Sequence, residues 1–306
     1  MYSLKLKQIL VLTLFIGCLL PDAFSQSGSF RKKRKNFKQG GNGAVMVMAH
    51  RQDWKNYPEN TIESLQSCID KGIDIVEIDI RKTKDGELVV MHDGSVNRTT
   101  NGKGRISDLT LEEIKALRIK DHKGNLTDYT VPSFEEYMAA AKRKIMVNLD
   151  IKINALENFA SMYKILKKTK TLDHALWVFN AEYEVVKDTL AKYPGVIICP
   201  KIGSHQKDPV GSYHNWVDNY DLKTVFFRFK TEQDSLWTVV PDAQKKRIKL
   251  YCHTLWSGGS SAGRSDEKAP ENPDENWGWL IDNGMEIIMT DEIDLLMDYI
   301  KSRRQD

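Results

Sequence analysis

Cysteine is scarce in this sequence, and its scarcity excludes two classes of protein. The 306-residue chain contains four cysteines, and Cys68, Cys199 and Cys252 remain once the apolar N-terminal segment is set aside. These three lack the close spacing of zinc ligands, and a disulfide framework is typical of much smaller domains. The chain leaves room for one disulfide, but we expect three buried thiols.

Long apolar runs are also lacking, apart from one near the N terminus. Two lysines precede an apolar run at residues 9–20, and a small-x-small cleavage signal follows from Ala23 to Ser25. These are the three parts of a secretory signal peptide, and the run is shorter than the roughly 20 residues that span a bilayer. We therefore expect a signal peptide at residues 1–25 and a mature chain that begins near Gln26.

A lipoprotein is the alternative interpretation of this N terminus. Ile16 and Gly17 precede Cys18 as they would in a lipidation motif, but Phe15 stands where such a motif prefers leucine. The signal-peptide interpretation is therefore favoured over anchoring at Cys18. Both interpretations predict export across the inner membrane, and the favoured one predicts a periplasmic protein.

Acidic residues are absent from residues 31–38, RKKRKNFK, which hold six basic groups. A glycine-rich spacer follows, so residues 26–42 are interpreted as a basic flexible tail. Without the leader and this tail the chain carries a net charge of −4, which argues against nucleic-acid binding. The tail is expected to be solvated, and weak contact with an anionic membrane surface or polysaccharide is the alternative.

From residue 43 onward, short apolar runs alternate with amphipathic helical patterns. The strand candidates are residues 44–49, 74–80, 144–151, 174–179, 195–200, 224–229, 248–253 and 286–290. Eight strand–helix units between residues 43 and 306 predict an α/β fold of the (β/α)8 or TIM-barrel class, for which roughly 250 residues are typical.

Two long connections interrupt this alternation. Asp85-Gly86 is typical of a tight hairpin turn, so residues 88–92 are predicted to run antiparallel to the second strand, within an insertion at about 82–132. The second connection, residues 257–279, follows the seventh strand and is too long for an ordinary loop. In a barrel it would rise from the C-terminal face, where substrates bind.

Three carboxylates fall at predicted strand ends. Glu77 and Asp79 are two residues apart and share one strand face, and Asp150 ends the third strand with Lys152 beyond it. Neighbouring carboxylates repel unless a cation lies between them, and an all-oxygen ligand set favours Mg²⁺ or Ca²⁺ over Zn²⁺. Ion pairing of these acids with lysine and arginine is the alternative.

Two histidines complete the set of candidate catalytic groups. His50 ends the first strand beside Arg51, and His92 ends the predicted hairpin. A single strand histidine is more often a core residue than a catalyst. Two histidines near a metal and an arginine provide an acid, a base and a cation for a phosphate oxygen.

These motifs, in this order, resemble the glycerophosphodiester phosphodiesterase family. The matching segments are HRQ (50–52), PENT (58–61), EID (77–79), TKDG (83–86), HD (92–93), RTTNGKG (98–104), DIK (150–152) and GMEIIMTD (284–291). The resemblance covers nearly all of residues 44–300 and also implies the barrel with its insertion.

Carried over by position, the resemblance implies a role for each candidate residue. It implies a metal bound by three carboxylates, an acid–base histidine pair, two cations on the phosphate and one supporting glutamate. These are, in that order, Glu77, Asp79 and Asp150; His50 and His92; Arg51 and Lys152; and Glu59. The implied reaction is metal-dependent hydrolysis of a small-molecule glycerophosphodiester to glycerol 3-phosphate and an alcohol. A phospholipase acting on intact lipids and a non-catalytic phosphoester-binding barrel are the alternatives.

The sequence departs from the family pattern at three positions. Gln52 replaces a glycine and is expected to add a side chain close to the phosphate site. Asp150 replaces a glutamate, and His253 replaces a tryptophan, which predicts a different leaving-group pocket. Four tryptophans in loops expected near the mouth offer a cage for a quaternary ammonium, or simply pack the long loop. They are Trp54, Trp256, Trp277 and Trp279.

Overall fold

Eight strands of this protein pair in parallel and close into a barrel, as the alternation of strands and helices predicts. The computed structural model describes residues 30–258 and 261–304. The predicted signal peptide at 1–25 and Cys18 lie outside these residues. The strands are β1 (Met46–Ala49), β2 (Ile75–Lys82), β3 (Leu88–Val90), β4 (Arg118–Lys120), β5 (Leu126–Thr130), β6 (Met146–Ile151), β7 (Ala175–Phe179), β8 (Ile197–Gly203), β9 (Thr224–Arg228), β10 (Lys249–His253) and β11 (Met285–Thr290). The order around the barrel is β1-β2-β6-β7-β8-β9-β10-β11, and β11 pairs with β1 to close it.

Helices follow the barrel strands and cover their outer faces, apart from one that precedes the first strand and one within the insertion after the second strand. They are α1 (residues 30–37), α2 (Ile62–Asp70), α3 (Leu111–Lys115), α4 (Phe134–Ala141), α5 (Ala155–Thr169), α6 (Tyr183–Lys192), α7 (Pro209–Asn219), α8 (Val240–Lys245), α9 (Trp279–Asp282) and α10 (Ile293–Ser302). Capping boxes at Thr61 and Ser133 fix the starts of α2 and α4, because each hydroxyl accepts a backbone N–H that the helix leaves unpaired. Within the described residues, we find no helix with the length and apolar character that crossing a bilayer requires.

Strand alternation divides the apolar residues between two cores. One set of alternate residues faces the helices, and the other fills the barrel interior with large side chains. The interior set is Met46, Met48, Ile75, Met146, Leu176, Cys199, Phe226, Tyr251, Ile287 and Met289. The interior is therefore a packed core, and the next inward-facing positions toward the C-terminal ends form the mouth.

The insertion after the second strand is confirmed. β2 and β3 pair antiparallel, with Lys82 opposite Leu88, and Gly86 takes the positive φ of 88° that the turn requires. β4 and β5 form a second small antiparallel pair, and a satellite apolar cluster packs beneath them. The hairpin carries His92 back to the barrel mouth.

The basic tail differs from its prediction, because residues 30–37 form helix α1 and lie against the barrel. Phe30 and Phe37, seven residues apart on one helix face, are buried in the cluster that fills the barrel interior. Lys33 donates to the Ile73 carbonyl at 2.6 Å, and Arg34 pairs with Asp173 at 2.5 Å. The prediction of a flexible segment is therefore wrong for residues 30–37, where two aromatic anchors outweigh the repulsion of the charge run.

The glycine-rich spacer that follows α1, which includes Gly40 and Gly41, also contacts the N-terminal end of the barrel. The Gly41 N–H donates to Glu286 at 2.8 Å, and Glu286 forms a buried ion pair with Lys249 at 3.1 Å. Gly41 has a positive φ of 72°, and a Cβ at Gly40 would lie 2.5 Å from the Arg247 carbonyl oxygen. The close backbone approach explains why glycines occupy this spacer.

The three cysteines are buried and unpaired, as expected. Burial raises the pKa of the Cys199 and Cys252 thiols to about 12. Thiols with so high a pKa carry little thiolate at neutral pH, so they act as small apolar core residues.

We predict that Phe37→Ala destabilises the protein by about 3–5 kcal/mol, the usual cost of deleting a buried aromatic ring. Guanidinium unfolding of the two proteins measures the difference. Lys35→Ala is the matched control, since this side chain on the same helix is exposed and its removal should change stability by no more than about 0.5 kcal/mol. Equal stability of the wild type and Phe37→Ala would show that α1 does not anchor the barrel.

Candidate active site

Three carboxylates meet at the C-terminal ends of two adjacent strands. Asp79 on β2 is in register with Asp150 on β6, and Glu77 lies two residues before Asp79 on the same face. One oxygen from each of the three carboxylates lies within 4.8 Å of the other two. The sequence thus predicted both the members of this cluster and their convergence.

The burial and mutual repulsion of these carboxylates make the cluster suited to a divalent cation. Glu77 and Asp79 are 3% and 1% exposed. Burial, followed by the charges of Asp79 and Asp150, raises the pKa of Glu77 well above its usual range. A cation at the shared oxygens would remove this penalty, and three carboxylate oxygens suit a hard cation such as Mg²⁺ or Ca²⁺.

A buried polar atom beside the cluster supports the same fit. Asn148 pairs in register with Glu77, is 2% exposed, and its Oδ1 accepts no hydrogen bond within the described part of the chain. A buried acceptor without a donor costs free energy unless water or an ion satisfies it. The residues present therefore fit a hydrated cation.

His50 lies directly after β1 and is oriented by a carboxylate. Its Nδ1 lies 2.9 Å from Asp291 Oδ1, which also accepts from Trp54 Nε1 at 2.6 Å. Burial would raise the pKa of Asp291, but its bond with His50, assisted by Trp54, holds that pKa below the usual range. This arrangement favours the tautomer in which Nδ1 carries the proton, and it leaves Nε2 for substrate chemistry.

The long loop after β10 supports this histidine from behind. Asp266 accepts the Asp291 N–H at 2.6 Å and the hydroxyls of Thr254 and Thr290 at 2.6 and 2.7 Å. Burial raises the pKa of Asp266 to about 6. The expectation that this loop rises at the C-terminal face is therefore confirmed, and its contribution is a carboxylate that holds Asp291.

His92 has a matching carboxylate partner on the insertion. Its Nδ1 lies 2.8 Å from Asp93 Oδ1, and Arg98 donates to both oxygens of Asp93, at 3.0 and 2.8 Å. Arg98 also donates to both oxygens of Glu59, each at 2.8 Å. Glu59 thus contacts two cations of the site, Arg98 and Arg51, and any support it gives to the site acts through them.

The two predicted phosphate-binding cations lie beside the carboxylates. Arg51 donates its backbone N–H to Glu77 at 2.9 Å, and its Nε lies 3.8 Å from Asp79. Lys152 contacts Asp150 at 2.7 Å and Asp79 at 3.2 Å. Burial lowers the pKa of Lys152, but Asp150 and then Asp79 more than offset this, so its net shift is upward.

Gln52 does not enter the phosphate site, contrary to expectation. Its side chain is 1% exposed, donates to the Glu77 carbonyl at 2.5 Å and accepts from Ser64 at 2.9 Å. Gln52 and Arg51 both adopt positive φ, 65° and 49°. Positive φ angles favour glycine. Here the hydrogen bonds of the buried Gln52 side-chain amide offset the backbone strain.

The aromatic residues of the mouth are fewer than expected. Trp277 is 1% exposed and packs in the helix-facing core, and Trp279 packs edge-on against Trp237. Trp256 remains at the mouth, where its ring lies 5.0 Å from that of His253. With Trp54 bonded to Asp291, the four rings do not converge on one point as a cage requires.

The structure brings the predicted site residues together at the mouth, but sequence reasoning assigned no role to several residues that contact them. Asp93 and Asp291 stand in motifs that the family resemblance used, directly after His92 and Thr290. The Asn60 side chain makes two hydrogen bonds with Asp79. Asn60 Nδ2 donates to Asp79 Oδ2 at 2.9 Å, and the Asp79 backbone N–H donates to Asn60 Oδ1 at 3.3 Å.

We predict that Asp79→Asn removes divalent-cation binding. In the wild type, Mg²⁺ or Ca²⁺ should raise Tm, since a ligand that binds only the folded state stabilises it, and EDTA should reverse the rise. Differential scanning fluorimetry measures Tm against cation concentration. Asp221→Asn, which changes an exposed aspartate before β9, should keep the wild-type response. A full response in Asp79→Asn would contradict the assignment of this site.

Comparison with known proteins gives the same assignment as the geometry. The model of the Glycerophosphoryl diester phosphodiesterase family matches residues 50–295. A glycerophosphodiester phosphodiesterase of Caldanaerobacter subterraneus subsp. tengcongensis is 29% identical over 268 residues, which cover 84% of this chain and 98% of the relative. Glycerophosphodiester phosphodiesterase 1 of Homo sapiens is 35% identical over 115 residues, 36% of this chain and 35% of the relative.

Solved structures share the fold. A glycerophosphoryl diester phosphodiesterase from Parabacteroides distasonis has a TM-score of 0.74 at 24% identity and covers 90% of this chain and 92% of its own. An Oleispira antarctica phosphodiesterase in complex with the product sn-glycerol-3-phosphate has a TM-score of 0.61 at 20% identity, over 84% of this chain and 97% of its own. The family match, the barrel and the carboxylate cluster agree: this chain belongs to the glycerophosphodiester phosphodiesterase family.

Proposed function

We propose that this protein hydrolyses glycerophosphodiesters to sn-glycerol 3-phosphate and an alcohol, with Mg²⁺ or Ca²⁺ bound by Glu77, Asp79 and Asp150. The observation that carries the proposal is the pair of carboxylate-oriented histidines beside a buried carboxylate cluster. His50 with Asp291, and His92 with Asp93, are each prepared for proton transfer. The family membership and the product named for the Oleispira antarctica structure support the same reaction.

The histidines divide the proton transfers between them. With a carboxylate at Nδ1, the neutral ring of each histidine can accept a proton at Nε2, and the protonated ring can donate one there. One histidine removes the proton from the nucleophile, which is water or the glycerol 2-hydroxyl of the substrate; in the second case a cyclic phosphate forms, and water then opens it to glycerol 3-phosphate. The other protonates the departing alcohol oxygen as the phosphorus–oxygen bond breaks.

The cationic side chains of the site neutralise the charge of the substrate phosphate. Arg51 and Lys152 lie beside the carboxylates, where they can hold the non-bridging oxygens while negative charge builds up in the in-line transition state. A divalent cation held by Glu77, Asp79 and Asp150 would supply further positive charge beside the phosphate. Glu59 and Arg98 hold Arg51 and Asp93 in place, so the phosphate and proton-transfer groups are linked by one ion-pair network.

The geometry favours soluble diesters over intact membrane lipids. The basic helix α1 lies at the N-terminal face of the barrel, beside the Ile73 carbonyl that precedes β2. The carboxylates and His50 lie at the opposite, C-terminal face. A barrel that contacts an anionic membrane through α1 would therefore hold its active site toward the solvent.

We predict that purified residues 26–306 release glycerol 3-phosphate from glycerophosphocholine or glycerophosphoethanolamine in a metal-dependent reaction. An enzyme-coupled assay measures the release, with and without EDTA. His50→Ala and His92→Ala should lower kcat by roughly 100- to 10,000-fold, the usual contribution of general acid–base catalysis.

The matched control is His214→Ala, which changes an exposed histidine on α7 and should keep full activity. Wild-type protein that binds the cation but hydrolyses no soluble diester would refute the proposal. Activity on intact phospholipid vesicles in that case would favour the phospholipase alternative.

We also propose export to the periplasm, with a mature N terminus near Gln26 and weak electrostatic contact of α1 with anionic membranes. Cell fractionation with intact-mass analysis tests both parts. The mature chain should lack lipid and leave the membrane fraction in about 1 M salt, where the screening length falls to about 3 Å. A lipid-modified N terminus at Cys18, or a cytoplasmic chain of full length, would contradict this.

A further inference from the structure

The mouth of the barrel has two electrostatically different sides. The inward-facing position above the packed core is acidic on β2 and β6, where Asp79 and Asp150 lie. Farther around the barrel, the same strand alternation places Lys201 on β8, two residues beyond Cys199, and Arg228 on β9, two residues beyond Phe226. Neither cation belongs to the motifs that define the catalytic residues.

One of these cations lies over an aromatic ring, and the charge of Arg228 acts on it. Lys201 is in register with Phe226, and its Nζ lies 5.5 Å from the Phe226 ring centroid. The Phe226 ring lies 5.7 Å from that of His253, and the half-exposed Trp256 ring lies 5.0 Å from His253. This side of the mouth thus combines aromatic rings with two cationic groups.

Placing two cations together at a partly buried position costs free energy. Burial, and then the nearby charge of Arg228, lowers the pKa of Lys201. Asp150 is the acid that opposes this shift, but Asp150 is shared with the metal cluster and Lys152. A bound anion would be attracted by both cations, as a bound cation would be attracted by the carboxylates.

We propose that Lys201 and Arg228 form a second anion-binding subsite, which selects diesters whose leaving alcohol carries its own negative charge, as a carboxylate or a second phosphate. The inference rests on the proposed function. The scissile phosphate has Arg51 and Lys152 for its oxygens, and the glycerol arm is neutral. The alcohol arm is then the part of the substrate that can bring a further negative charge to this side of the mouth.

The same side of the mouth disfavours a quaternary ammonium. A choline headgroup would bring a positive charge toward two cations, and the tryptophans that would have to cage it do not converge. The exposed Trp256 ring, which lies beside His253, instead provides flat apolar surface for the carbon skeleton of the alcohol, between the two charged ends of the substrate.

The test compares headgroups of different charge on the metal-loaded enzyme. The substrates are glycerophosphocholine, glycerophosphoglycerol and glycerophosphoglycerol phosphate, whose alcohol arms are cationic, neutral and anionic. In Lys201→Met and in Arg228→Met, kcat/KM for the anionic substrate should fall roughly 10- to 100-fold, the usual effect of losing one charge-assisted hydrogen bond. For glycerophosphoglycerol the change should stay within about 3-fold.

Lys223→Met is the matched control, because this lysine precedes β9 at the other end of the barrel and pairs with Asp221; it should change none of the three rates. An equal loss on all three substrates would overturn the inference, because the two cations would then serve the scissile phosphate. Unchanged rates on the anionic substrate would also overturn it. Failure of the proposed function would look different, as an absence of hydrolysis of every diester by the wild type.

Discussion

The repulsion among Glu77, Asp79 and Asp150 is the constraint around which the mouth of this barrel is arranged. Parallel pairing of β2 with β6 puts Asp79 beside Asp150, and strand alternation adds Glu77 to the same face. No packing adjustment can separate them without breaking the barrel register. The fold therefore imposes a site that a cation stabilises, and it surrounds that site with neutralising groups: Lys152, Arg51 and the Asn60 amide. The same arrangement of charges both relieves the repulsion among the carboxylates and preorganises the site for catalysis.

The sequence predicted the features that depend on strand period and strand ends. Eight apolar runs predicted the barrel, the Asp-Gly turn predicted the antiparallel hairpin, and residues two apart predicted the carboxylate face. It failed where the deciding contact is distant in the chain. Asp266 supports Asp291 from within a loop that has no pattern of its own. Gln52 was misplaced because its positive φ, which turns the side chain inward, leaves no signal in composition. At α1 the run of six basic groups concealed the spacing of Phe30 and Phe37, which decided its structure.

The two histidines are held by different elements of the structure. His50 is held by Asp291, which ends a barrel strand and is fixed in turn by Asp266. His92 is held by Asp93 on the insertion, and Arg98 ties that insertion to the first loop through Glu59. One of the two proposed proton-transfer groups therefore belongs to the barrel and the other to the insertion. The Glu59–Arg98–Asp93 ion-pair network fixes the position of the insertion, and so of His92, relative to the first loop. Glu59 therefore does more than support a single cation.

Positive charge is concentrated at both ends of the molecule, and the packed interior keeps the two regions independent. At the base, Lys33 and its neighbours on α1 lie beside the start of β2. At the mouth, Lys201 and Arg228 face the acidic side of the rim. The buried side chains that fill the space between them, from Met46 and Phe37 up to Tyr251, form a packed core. The proposed contact of α1 with an anionic surface therefore lies at one end of the barrel and the active site at the other. The proposed surface attachment and the proposed headgroup selection can change separately in this fold, because each depends on cations that the other does not use.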